Sequence, residues 1–100
     1  MTSPETLLIS AILKTKDSTT AVMAGVTPEM FYGFREEYEW LTKYIDNHSR
    51  VPSKGAFRET FTEVALKDVD DVEDYSEKVK KSHSRQLMLK GLTRVKNAIQ

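Results

Sequence analysis

Residues 34–47 read FREEYEWLTKYIDN. Within them Phe34, Tyr38, Leu41 and Ile45 recur at spacings of four, three and four. At 100° per residue these four positions fall within an arc of about 60°. Trp40 and Tyr44 flank the stripe, and most of the remaining positions are charged or polar. An apolar stripe at this period predicts an amphipathic helix, here the central core helix of the protein.

Working toward the N-terminus, Gly33 permits a break. Before it, Thr27-Pro28-Glu29 combines a capping residue with a proline at the first helical position, and so opens a short turn that brings Met30 and Phe31 near the core. Asp17-Ser18 caps a second short helix, and Gly25 ends it in a left-handed conformation. Ser3-Pro4 starts the first helix. Leu7, Leu8, Ala11 and Ile12 carry that helix to about Lys14.

Toward the C-terminus, Arg50-Val51-Pro52 is a connector, and Ser53 caps a helix bearing Ala56, Phe57 and Phe61. Residues 62–71 mix acids with Val64, Ala65, Leu66 and Val69 and read as a loop. From about Asp71 onward there is no proline and one glycine, Gly91, so the chain reads as helix to its end. No stretch alternates with period two, and no internal repeat or low-complexity tract is present. The expected fold is therefore all-α: a compact single-domain bundle over residues 1–100, of about five to six helices, with a long C-terminal helix over about 71–100.

That last segment changes face. Val72, Tyr75 and Val79 share one side, while Met88, Leu92, Val95 and Ile99 share another, about 180° round. Either the helix breaks near Ser82-His83-Ser84, or one helix packs first on its own domain and then extends out of the globular part toward something else. The four, three, four spacing of Met88, Leu92, Val95 and Ile99 is that of a bundle or coiled-coil seam. Such a seam contacts a second copy or a partner, unless it folds back onto its own core. Lys78, Lys81 and Arg85 lie on the side that becomes apolar further on, and are candidates for electrostatic contacts.

The 100-residue length suits one core, and 39% hydrophobic with 30% charged residues is an ordinary globular composition. Formal net charge is zero, which argues against a strongly basic nucleic-acid binder. The average hides a split, however. Residues 59–77 carry eight acids and one base, and residues 78–100 carry seven bases and no acid. Acids first and bases last suits the dipole of a single helix. The same basic end can touch phosphates, with an affinity that would fall steeply with salt.

Cysteine is absent, which excludes disulfides and thiolate metal ligands and is compatible with a cytoplasmic location. No apolar run is long enough to span a membrane. Met1-Thr2-Ser3-Pro4-Glu5 lacks the basic start and apolar centre of a signal peptide.

Catalytic signatures are missing. Gly25, Gly33, Gly55 and Gly91 do not have phosphate-loop spacing, and His48 and His83 form no metal motif. The acid run Asp68–Asp74 lacks the glycine and terminal glutamate of an EF-hand loop, so a solvated loop and helix start explain it better than a metal site. Ser82-His83-Ser84 places its side chains about 100° apart on a helix, which is no nucleophile–base geometry; an exposed polar turn accounts for it. Paired carboxylates such as Glu36-Glu37 are read as solvated surface. The aromatics are mostly core by their spacing, with Tyr32 and Trp40 expected to be exposed. No catalytic, cofactor-binding or metal-binding residue is expected.

Taken in order, these pieces resemble the N-terminal domain of DnaB-like replicative DNA helicases. That domain begins with a glutamate and paired leucines, here Glu5, Leu7 and Leu8, followed by Ile12 and Leu13. A Pro-Glu-x-Phe step follows, here Pro28 to Phe31, and then an aromatic-rich helix, here around Leu41, Tyr44 and Ile45. Next comes a Pro-started helix, here Pro52, Ser53 and Phe57. It closes with a helix bearing Tyr75 and Val79, with Arg85 and Leu87 beyond. The resemblance runs from about residue 5 to residue 99.

The chain departs from the family in a short stretch between Phe61 and Asp71, and in lacking the additional helix usual in the bacterial proteins. Val51-Pro52-Ser53-Lys54 and the compact size look closer to phage versions. The resemblance implies a non-catalytic interaction domain without cofactors, part of the N-terminal collar of a hexameric ring. It would support subunit association and receive primase or a loader, while ATP hydrolysis belongs to a separate domain absent here. The implied partners are further copies of the chain and primase or loader, with weak DNA contact and no membrane. The rival readings are a small helical nucleic-acid-binding module using the basic C-terminal helix, and a small metal-dependent enzyme using the acid run.

Overall fold

The first helix, α1 (Pro4–Thr15), begins where the sequence places it. The Ser3 side chain accepts the Thr6 N–H at 3.3 Å, and Pro4 fills a position that needs no donor. A computed structural model describes the backbone of residues 3–99 and the side chains of residues 3–85. In it α1 is followed by α2 (Thr19–Met23), a 3₁₀ turn (Pro28–Met30), α3 (Arg35–His48), α4 (Lys54–Thr60) and α5 (Val72–Ile99). Among the described residues there is no strand, and the protein is compact and all-helical.

The short elements follow their local chemistry. Asp17 accepts the Thr20 N–H at 3.1 Å and so caps α2, with Gly25 beyond it at φ +88°. Its two hydrogen bonds from Thr20 hold the Asp17 carboxyl below the ordinary value. Ser53 caps α4 through the Ala56 N–H at 3.1 Å. Asp71 accepts the Asp74 N–H at 3.0 Å at the start of α5.

The centre of the core is α1 rather than α3, contrary to the expectation from residues 34–47. Leu8, Ile9, Ser10, Ala11, Ile12 and Leu13 form a continuous buried run, whereas α3 buries only Tyr38 and Leu41. The reason is geometric. A helix enclosed on all sides shows no stripe, so periodicity singles out the amphipathic neighbour that covers it. Phe31, delivered by the 3₁₀ turn, is fully buried and stacks on Tyr38 with ring centroids 4.2 Å apart.

Residues 62–71 form the expected loop, and the loop is strapped down. Ser10 Oγ donates to the Thr6 carbonyl at 2.8 Å and accepts the Lys67 N–H at 3.0 Å. Lys14 forms an ion pair with Asp68, while Val64, Leu66 and Val69 pack on the core. These polar links satisfy loop backbone that would otherwise lie unpaired against apolar surface.

The α5 helix lies along α1 and also contacts α2 and the 3₁₀ turn. Its inward line is Val72, Ser76 and Val79, all buried, with His83 half-buried one turn on. Tyr75 sits beside that line and is only partly covered. The helix passes through Ser82-His83-Ser84 without a break, which removes the first of the two explanations for the change of face.

Burial of Tyr38 has a measurable consequence. Loss of solvation pushes its hydroxyl from 10.0 up to about 12. The unfolded chain therefore loses this proton first as pH rises, so the folded state is favoured fully below about pH 10 and progressively less up to about pH 12. Going from about pH 9 to about pH 11, wild type should lose about 1.4 kcal/mol more stability than Tyr38→Phe. Urea unfolding of both at the two pH values checks this; equal losses would contradict it.

Candidate functional site

The exposed side of α5 carries the proposed electrostatic residues. Lys78, Lys81 and Arg85 are all exposed, on the helix face away from Val72, Ser76 and Val79. Lys78 is engaged locally: its ammonium lies 2.9 Å from Asp74 and 5.4 Å from the centre of the Tyr75 ring. The Asp74 carboxylate holds the Lys78 ammonium above its ordinary pKa. Lys80 pairs with Glu77 at 3.5 Å. Lys81 and Arg85 have no acidic partner among the described residues, so the positive charge of the ridge is concentrated there.

Met88, Leu92, Val95 and Ile99 lie outside the residues whose side chains are described. On a helical wheel begun at Val72, the inward residues lie within about 40° of the origin. Lys81 and Arg85 come at about 180° and 220°.

His83 Nδ1 is 3.0 Å from the Tyr32 hydroxyl, and their rings are 5.9 Å apart. This tie fixes the loop before α3 to α5. Ser82-His83-Ser84 is thus a helical segment with its imidazole engaged, not the polar turn expected from sequence. Tyr32 is exposed as expected. Trp40 is not: it is half-buried, and its ring meets Phe57 and Phe61 edge-on at 5.8 Å each. The stripe arithmetic treats α3 alone, and the aromatics of α4 cover the flank it leaves open.

The acid run is spent on structure. Asp68 pairs with Lys14, which holds the Asp68 carboxyl below and the Lys14 ammonium above their ordinary values. Asp71 caps α5 and Asp74 pairs with Lys78. Among the described residues no group of three or more histidines and carboxylates is placed to hold a metal ion. Nor is any helix there long and apolar enough to cross a membrane.

Two features escape the sequence reading. Glu5 Oε1 accepts three successive backbone N–H groups, from Tyr32 at 3.0 Å, Gly33 at 3.1 Å and Phe34 at 3.1 Å. The segment before α3 is thus an anion-binding nest, filled from within by a carboxylate of α1. The second feature is apolar. Val22 and Met23 on α2 are 63% and 81% exposed. Val22 also lines a cavity of about 70 Å³, together with Ile12, Tyr38, Leu41, Ile45 and Asp46. Comparison with protein-family models, curated proteins and solved structures returned no match for this chain.

Proposed function

We propose that this chain is a non-catalytic protein-interaction domain of the kind found at the N-terminus of DnaB-like replicative helicases. It supports subunit association in the ring and docks primase or a loader during DNA replication. In this reading α5 extends out of the globular part and presents Met88, Leu92, Val95 and Ile99 to a neighbour.

The observation that carries the reading is the division of labour along α5. One line of the helix is consumed by its own domain through Val72, Ser76, Val79 and His83. The opposite line is exposed at Lys81 and Arg85 and turns apolar further along the sequence. A contact seam begins on a face that the domain leaves uncovered, and bundle association needs such a face.

Sedimentation at several concentrations, with and without a cognate primase, compares wild type with the Leu92→Asp, Val95→Asp pair. Wild type should self-associate or bind primase, and the pair should do neither. Equal association of the two removes the surface assignment. Lys81 and Arg85, without acidic partners among the described residues, favour nucleic-acid binding as the second reading. An anisotropy titration at low salt that shows no DNA binding disposes of it.

A further inference from the structure

The exposed apolar group on α2 and the cavity beside it are not explained by the α5 ridge. Most exposed side chains on a small helical domain are polar, and isolated apolar ones need no account. Here two neighbours are exposed together. Val22 lines a depression together with Ile12, Tyr38, Leu41 and Ile45, and Met23, still more exposed, follows it in α2. At about 70 Å³ this cavity is far below the roughly 300–1,000 Å³ of small-molecule sites. Its size suits the end of a single aliphatic side chain, which can anchor a protein–protein contact when it fills a pocket.

Charge indicates what enters it. Asp46 is the one charged residue among those lining the cavity, and Asp17 immediately precedes Ser18 of the lining in sequence. The hydrogen bonds from Thr20 keep Asp17 in its ionised form. The fitting occupant is an apolar stripe flanked by bases. Residues 86–100 supply that combination, with Met88, Leu92, Val95 and Ile99 interleaved with Lys90, Arg94 and Lys96 and no acid.

Resting on the self-association reading above, we infer that the α2–α3 groove receives the C-terminal stripe of a second copy of this chain. Leu92 or a neighbour fills the cavity, Val22 and Met23 cover it, and the bases flank Asp46 and Asp17. The contact is head-to-tail, since each copy gives a stripe and offers a groove. Contacts of this kind generate rings when the rotation closes, whereas a stripe paired with itself generates closed dimers.

Three samples test the inference in sedimentation at matched concentrations: Met23→Asp, Leu92→Asp and their equimolar mixture. Met23 is a solvent-facing position, so its substitution should leave the fold intact; circular dichroism of each variant verifies this. Each single variant should associate about 30-fold or more weakly than wild type. The mixture should regain one contact per pair, because one variant keeps its stripe and the other its groove.

If Met23→Asp associates like wild type while Leu92→Asp does not, the groove assignment is overturned and the seam stands. If neither single variant associates and the mixture does not recover, the head-to-tail geometry is overturned. A wild type that stays monomeric throughout also overturns the inference. Loss of primase binding through Leu92, tested in the same preparation, separately decides the reading beneath it.

Discussion

Phe31→Ala should lower stability by about 3–5 kcal/mol, the range for removing a fully buried aromatic side chain. Phe31 is wholly inaccessible to solvent and stacks on Tyr38 at 4.2 Å, so its loss opens a void at the junction of the 3₁₀ turn, α1 and α3. Small domains hold about 5–15 kcal/mol in total. For a chain of this length such a loss corresponds to a fall in Tm of roughly 15–30 °C. Met23→Ala is the matched control: an exposed position should change stability by less than about 0.5 kcal/mol. A Phe31→Ala variant that melts within a few degrees of wild type would mean that this ring does not hold the core.

Glu5→Ala should cost about 2 kcal/mol, more than an ordinary exposed glutamate, because one oxygen serves three backbone donors. The segment before α3 has no capping side chain of its own, since Phe34 occupies the cap position. Without Glu5, its N–H groups depend on water. Glu5→Gln keeps an acceptor but loses the charge, and should recover part of the stability. Hydrogen exchange at Tyr32, Gly33 and Phe34 reads the effect locally. Unchanged protection at all three in Glu5→Ala would contradict the assignment.

These two residues show what sequence can and cannot reveal. Phe31 was placed near the core because Thr27-Pro28-Glu29 is a local signal, readable within a few residues. Ser3, Asp17, Gly25 and Ser53 were legible in the same way, and the helices start and stop close to where those residues put them. Glu5 looks like any acid in a first helical turn, since its partners lie 27 to 29 positions away. Ser10 is similar, because only the folded chain brings it to Lys67.

Patterns failed where burial is complete or shared. The middle of α1, Leu8 to Leu13, is buried all round, Ser10 included, so its burial does not show as a single apolar stripe, and α3 looks central instead. On α5 the buried line runs through Ser76, a polar residue whose hydroxyl has no hydrogen-bond partner among the described residues, while Tyr75 beside it is partly exposed. Hydrophobicity picks out Val72, Tyr75 and Val79, all of which meet the core, but passes over Ser76, the more deeply buried neighbour of Tyr75. Lys78, Lys81 and Arg85 are exposed on α5, as charge on a helix opposite an apolar line follows directly from period. The Val22–Met23 surface was invisible, since apolar residues in a short helix normally read as core.

The central claim is that α5 serves its own domain along one line and a neighbour along the other. Because the chain has no cysteine, Leu92→Cys introduces a single thiol whose alkylation rate reports its accessibility. The account predicts fast alkylation in dilute solution, slowing as protein concentration rises or primase is added. A thiol equally protected at every dilution would place Leu92 inside its own domain and contradict the claim.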